Sequence, residues 1–428
     1  MSDPGGAAQD LKNLLNKPLQ ATTPLAPEVL ACPIEFNARL RAEAPVYKCP
    51  HTGIVFVSDY DTVTKIARDH ETFSNRFGQA MRNTANADPR LAEVQREGYP
   101  AVDTMLTQDP PQHRRYRGMV NQAFTARRVA TLENHIEAVC HGLIDEFAAD
   151  GECEFVSAFA KRLPMTVIAE QLGVPLSDYE LFKNWSDAFV AQLSGLASTD
   201  EELAAARQIL AFQNYFAERI EQRRAAAADD IISDIVHARF ENERPLEMAE
   251  MLSILQQLLV AGNETTTHAI SEGVLLLIRH PEQWRKLKAE PELIPALVEE
   301  VLRLSTPTAN MWRVAVKDTQ INGLEIPAGT MVQIRFASAN RDESRFLGPD
   351  DFDIERPNAK ANVAFGHGVH MCVGASLARK ELEVAFRTIL QRFDELELNC
   401  ADDLLIYPAN MLLRGLEQLP IRFSVRSC

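Results

Sequence analysis

Apolar and polar positions follow two rhythms along this chain, and the points where one gives way to the other outline the fold. Near residue 50, Pro45 to Tyr47 and Ile54 to Val57 flank the turn-forming run Pro50-His51-Thr52-Gly53, which predicts a β-hairpin with a helix starting at about Asp61. From Arg127 to Phe240 apolar residues recur at three- and four-residue steps, interrupted at Gly151, Pro164, Gly173 and Pro175, so several packed helices are expected. Pro245 to Arg279 keeps the helical period throughout, is apolar on most faces and stops before Pro281; it predicts one long helix crossing the core. Beyond Pro307, β-branched residues and Gly/Pro turns run to Val332; Ala375 to Phe393 is helical again, and Leu404 to Val425 reads as short strands.

That order predicts a mainly α, α+β fold, with a single domain over residues 28–428 and small sheets contributed from both sequence ends. Residues 1–27 carry Pro4, Gly5, Gly6, Pro18, Pro24 and Pro27 without a basic-then-apolar signal segment, and read as an extended tail. No internal repeat or low-complexity linker interrupts the rest. Apolar runs such as Gly273 to Ile278 fall far short of the roughly 18 residues a membrane span requires, so no membrane anchor is expected.

Composition narrows the partners. A formal net charge of -16 would repel nucleic acid or an anionic membrane over most approaches. The seven cysteines are Cys32, Cys49, Cys140, Cys153, Cys372, Cys400 and Cys428; they are odd in number and lack a CxxC pair, which fits a reduced cytoplasm better than a disulfide framework.

Only one of them sits in a distinctive setting. Phe365-Gly366-His367-Gly368-Val369-His370-Met371-Cys372-Val373-Gly374 places three glycines around Cys372 and then enters a helix. Glycines, Gly374 among them, let backbone pass close to a flat ligand, and a helix start favours a thiolate over a thiol. The residues alone leave three readings open: an anionic metal ligand, a zinc site built with His367 and His370, or a nucleophilic cysteine with a histidine base. The zinc reading lacks a second ligand pair nearby.

The run FGHGVHMCVG resembles the haem-binding signature of the cytochrome P450 family, with phenylalanine seven positions before the cysteine. The resemblance covers essentially the whole chain. It implies a P450 fold with a long central helix over haem b, Cys372 as the axial ligand of the iron, Phe365 packed beside the thiolate and His370 at a haem propionate. His113 and Arg117, four residues apart, and Arg313 match the family's other propionate positions.

Within the long helix, Ala261-Gly262-Asn263-Glu264-Thr265-Thr266 looks like the family's oxygen-activating motif. Taken alone it is a polar break in a core helix. The resemblance assigns Glu264 and Thr265 to an acid-alcohol pair that relays protons, with Ala261 and Gly262 beside the haem and Gly262 leaving space for a diatomic ligand. If the Thr265 hydroxyl does not bond back to the Ala261 carbonyl, the turn opens into a groove. Glu300 and Arg303, one turn apart, join Arg356 in what looks like the family's structural Glu-Arg-Arg triad.

These implications amount to a haem-thiolate monooxygenase that inserts one atom of O2 into a small hydrophobic substrate. Similarity to bacterial class I members implies a cytoplasmic monomer that takes electrons from a ferredoxin and its reductase. Arg114, Arg115, Arg379 and Lys380 are candidate contacts for that acidic donor. A haem-thiolate gas sensor without turnover is the alternative; it has no need of Glu264 and Thr265. Pocket-lining segments are expected at Met81 to Leu106, Trp185 to Phe216, Leu255 to Val260, Thr308 to Trp312 and Asn410 to Leu413.

Overall fold

A computed structural model describes residues 11–78, 88–194 and 197–426. Met81 to Ala87, at the start of one expected lining segment, lie outside the described residues, as does Cys428. With 57% of the chain helical, the fold is mainly α, as the periodicity predicts.

Nine helices position the site: α1 Tyr60–Arg68, α2 Gln112–Val120, α3 Glu133–Asp145, α4 Arg162–Gln171, α5 Tyr179–Ser194, α6 Thr199–Ala225, α7 Met248–Arg279, α8 Ile294–Ser305 and α9 Ala375–Arg392. Helix α1 starts one residue before the expected place because the Asp59 side chain caps it, accepting from the Thr62 N–H. The long helix is α7. Its 32 residues span about 48 Å. A reciprocal cap between Glu247 and Glu250 starts it three residues inside the predicted boundary, and the Pro281 that follows His280 ends it. It packs against α4, α8 and α9, the last of which carries the cysteine loop at its N-terminus.

The strands are β1 Val46–Lys48, β2 Val55–Val57, β3 Phe73–Ser74, β4 Glu152–Glu154, β5 Met311–Ala315, β6 Thr319–Ile321, β7 Leu324–Ile326, β8 Met331–Ile334, β9 Phe393–Leu398 and β10 Pro420–Val425. The expected hairpin is β1–β2, turned at Gly53 with φ 70°. It joins a five-stranded sheet ordered β1-β2-β8-β5-β3, in which Trp312 faces Gln333 and Arg313 faces Val332. A second sheet runs β4-β10-β9, and its core cluster reaches from Val129 to Phe423, so the helical middle and the C-terminal strands share one apolar interior.

Two expectations differ from the structure. Of Leu404 to Val425, only β10 is a strand, and the rest is irregular apart from a turn at Asp402–Leu404 and a single bridge between Thr308 and Leu413. Side chains take the ladder's place there: the Asn410 amide oxygen accepts from the Leu412 and Leu413 N–H groups, and Asn310 donates to the Met411 carbonyl. The part of the N-terminal tail that is described, from Leu11, is not extended. Leu11 and Leu19 are buried with Val29 and Phe36, and the Tyr47 hydroxyl donates to the Leu19 carbonyl at 2.7 Å. Among the described residues no helix is long and apolar enough to cross a membrane.

Candidate active site

The cysteine loop is held by its own backbone. Gly366 and Gly368 take φ of 71° and 75°, values that favour glycine, and the Cys372 N–H reaches back to the Phe365 carbonyl at 2.9 Å. Gly368 has a second reason to be glycine: a Cβ there would fall 2.7 Å from the Ala67 carbonyl oxygen, so the loop lies directly on the end of α1. The Phe365 ring is half-buried and carries the Arg379 guanidinium 4.5 Å from its centroid. At the start of α9, Gly374 offers its N–H to the Cys372 sulfur. Burial still raises the thiol; the Gly374 N–H, Arg117 and Arg379 pull the other way.

Beneath the loop, Glu300 on α8 is fully buried and accepts from Arg303 at 2.7 and 2.8 Å and from Arg356 at 3.0 Å. The two guanidiniums spend their remaining donors on carbonyls of an irregular segment: Arg303 on Asn340, Pro349 and Asp351, and Arg356 on Leu347, Gly348 and Asp351. The three residues therefore form a buried clamp rather than a solvated surface pair.

Four basic side chains converge beside the cysteine. The His113 and His370 rings lie 4.3 Å apart, and Arg117, Arg313 and His113 all act on His370 electrostatically. Burial, then Arg117, pushes His113 down to about 4, and His370 is lowered by burial and by the same cations. Arg313 is 3% exposed and pushed down to about 10 by burial, with its guanidinium on the Trp312 carbonyl. Arg117 donates to Asn121 at 2.8 Å. Neither arginine has a carboxylate within ion-pair range among the described residues, and the Nε2 atoms of His113 and His370 are buried without a partner. Two guanidiniums without a close ion pair, beside two buried imidazoles whose Nε2 atoms lack partners, call for an anion that accepts hydrogen bonds. Two propionates on a flat cofactor lying against Cys372 meet that need, so these residues fit haem. No three His, Cys, Asp or Glu side chains gather as a metal-ligand set among the described residues, which leaves the zinc reading without a site.

On α7 the polar break divides by face. Asn263, Glu264, Thr266 and Thr267 are buried, whereas Ala261 is exposed and Thr265 half-buried. The Thr265 hydroxyl donates to the Ala261 carbonyl at 2.9 Å, so the conditional opening of that turn is not seen. Gly262 lies beside Ile168 of α4, where a Cβ would make an ordinary van der Waals contact at 3.4 Å. Glu264 lies 3.9 Å from Lys161 and 3.8 Å from His268. Burial raises its carboxyl, and Lys161 opposes the shift.

Against known proteins, residues 180–419 match the family model described as Cytochrome P450. The polyketide biosynthesis cytochrome P450 PksS of Bacillus subtilis is 36% identical over 403 residues, covering 92% of this chain and 96% of its own. The steroid C26-monooxygenase of Mycobacterium tuberculosis is 36% identical over 386 residues, covering 90% of this chain and 98% of its own.

The chain belongs to the cytochrome P450 family.

Among solved structures, a cytochrome P450 from Chondromyces apiculatus superposes with a TM-score of 0.82 at 36% identity, covering 94% of this chain and 98% of its own. The protein is thus a P450 monooxygenase that works with haem iron and dioxygen. Around this P450's site the structure adds residues that the sequence did not signal. Glu381 on α9 is 2% exposed, and burial pushes it up to about 8 beside the Thr266 hydroxyl. His70, after α1, faces His113 and His370. Lys161 joins Glu264 to the exposed side of α5, where it pairs with Asp187 at 2.8 Å. The four basic residues expected to meet an electron donor all have internal acids: Arg114 with Glu241, Arg115 with Glu250, Arg379 with Glu299 and Lys380 with Glu133.

Proposed function

We propose that this P450 hydroxylates a small hydrophobic substrate with one atom of O2, holding haem b on Cys372 and drawing electrons from a ferredoxin and its reductase. The observation that carries the reading is the convergence of His113, Arg117, Arg313 and His370, the two arginines without a carboxylate in ion-pair range, beside a buried cysteine. In this assignment Cys372 would supply the thiolate that binds the iron, the four basic groups would hold the propionates, and Phe365, Ala261, Gly262 and Gly374 would border the cofactor. When bound, the haem supplies the iron at which dioxygen is activated.

The chain's own groups manage the protons. Because the Thr265 hydroxyl gives its hydrogen to the Ala261 carbonyl, its lone pairs stay free to accept from water or an incoming ligand. Glu264, favoured in its protonated form by burial, carries the proton, and Lys161 and Asp187 connect it toward solvent. The relatives named for polyketide and steroid chemistry support an apolar substrate. The electron donor would meet the exposed Val369 and Met371 of the cysteine loop rather than a free basic patch. The six described cysteines are unpaired, in keeping with a reducing cytoplasm, and the enzyme is read as a monomer there.

Reduced protein under carbon monoxide should show the red-shifted Soret band of thiolate-ligated haem, and Cys372→Ser should remove it. A well-folded wild-type protein without that band sinks the ligand assignment. Substrate-induced spin-state shifts across an apolar library, compared with charged analogues, test the substrate class.

A further inference from the structure

Glu264, His268 and Glu272 lie at four-residue steps and so share one face of α7. The first is in the proton path proposed above; the other two are not. Glu272 is accounted for by Arg414, 3.3 Å away, whose guanidinium also lies 4.1 Å from the Tyr407 ring centroid. His268 is different. Its ring is pressed against the backbone after Arg414: a Cβ on Gly415 would fall 1.9 Å from Nδ1 and 2.0 Å from Cγ. Nδ1 is buried and has no hydrogen-bond partner. Nε2 points at Glu264, 3.8 Å from Oε2, while Lys161 approaches the other carboxyl oxygen, Oε1, at 3.9 Å. Each oxygen of the Glu264 carboxyl therefore has its own neighbour.

We propose that His268 is a positioning residue for Glu264, its imidazole clamped under Gly415 so that Nε2 stays within reach of Oε2 while Lys161 stays within reach of Oε1. The inference rests on the proposed role of Glu264 in proton delivery. The groups that face His268 are Glu264 on its own helix, Arg414 from the C-terminal segment and Lys161 from the turn before α4. Burial first, then Arg414 and Lys161, hold the imidazole neutral, pushed down to about 4. A neutral ring can donate to an ionised carboxylate or, as the other tautomer, accept from a protonated one, so it can follow Glu264 through either state without adding charge. Lys161 cannot: as a cation it favours the ionised form alone. Without the imidazole, the carboxyl collapses onto Lys161 as a closed ion pair and passes its proton on less readily.

The test uses the haem-loaded enzyme with a ferredoxin, its reductase and NADPH, and reads hydrogen peroxide released per NADPH consumed. The His268–Glu264 contact, if it closes to a hydrogen bond of ordinary strength during proton transfer, corresponds to about a two- to tenfold change, so His268→Phe should raise the peroxide fraction by that factor with the carbon monoxide band unchanged. His268→Gln, which keeps a donor, should restore most of the coupling. Gly415→Ala, which pushes the ring aside without deleting it, should act like His268→Phe and carries the test if that variant does not take up haem. Glu264→Gln separates the two layers. If it raises peroxide and neither His268→Phe nor Gly415→Ala does, the positioning role is overturned and the Glu264 reading stands. If Glu264→Gln itself leaves the peroxide fraction unchanged, both fall.

Discussion

The cysteine side and the α7 side of the candidate site are built on opposite principles. Under the cysteine, Arg303 places all five of its N–H donors and Arg356 four of five, and the loop above them is locked by glycine conformations and by contact with the end of α1. Along α7 the polar groups are loosely matched instead: Asn263 Oδ1 and His268 Nδ1 are buried without partners, and Glu264 meets its neighbours only at 3.8 and 3.9 Å. Full satisfaction fixes a geometry, which a metal ligand needs. Incomplete satisfaction leaves alternative hydrogen bonds within reach, which a group that gains and loses protons needs.

The contrast is sharpest if substitutions below the cysteine cost stability and those on α7 cost chemistry. Glu300→Gln leaves two buried guanidiniums short of their counter-charge and should destabilise by about 3–5 kcal/mol, read from denaturant unfolding of the holoprotein. Gly368→Ala combines a positive φ with a Cβ against the Ala67 carbonyl; about 1–3 kcal/mol should be lost, with haem released at a lower temperature than in the wild type.

Glu381 supplies a pH test midway between the two sides, since it rises from α9 toward Thr266 on α7. Its carboxyl is raised from 4.5 to about 8, so between those values the folded protein keeps a proton that the unfolded chain releases, and this group's contribution to stability falls as pH rises. Glu381→Gln should flatten that part of the stability profile between pH 5 and about 8; an unchanged profile would show that the carboxyl is already ionised. The smallest cost to stability, about 1 kcal/mol or less, is expected for Thr265→Ala, which gives up one bond to the Ala261 carbonyl. Its signature should be reductant diverted to peroxide, and coupling equal to wild type would break the comparison at its functional end.

Where the sequence was informative, local chemistry encoded the structure. The glycines at 366 and 368 permit the positive φ that the loop adopts, and the period of α7 survives because one helix buries nearly all of its faces. The misjudged parts depend on tertiary contact. Residues 405–419 have strand-like composition, yet Asn410 and Asn310 satisfy their backbone in place of a neighbouring strand. Glu381 looks like any other glutamate on an amphipathic helix until α9 is laid against α7. His70, between Asp69 and Glu71, carries no local signal at all.

The clamp at Glu300 has a consequence for the order in which the protein is made. Glu300 and Arg303 leave the ribosome before the segment whose carbonyls at 340, 347, 348, 349 and 351 Arg303 and Arg356 bind, and Arg356 closes that set sixteen residues before Cys372 appears. A nascent chain can therefore shape the floor of the cysteine loop from residues already synthesised, so that Cys372 emerges onto a scaffold waiting to receive it.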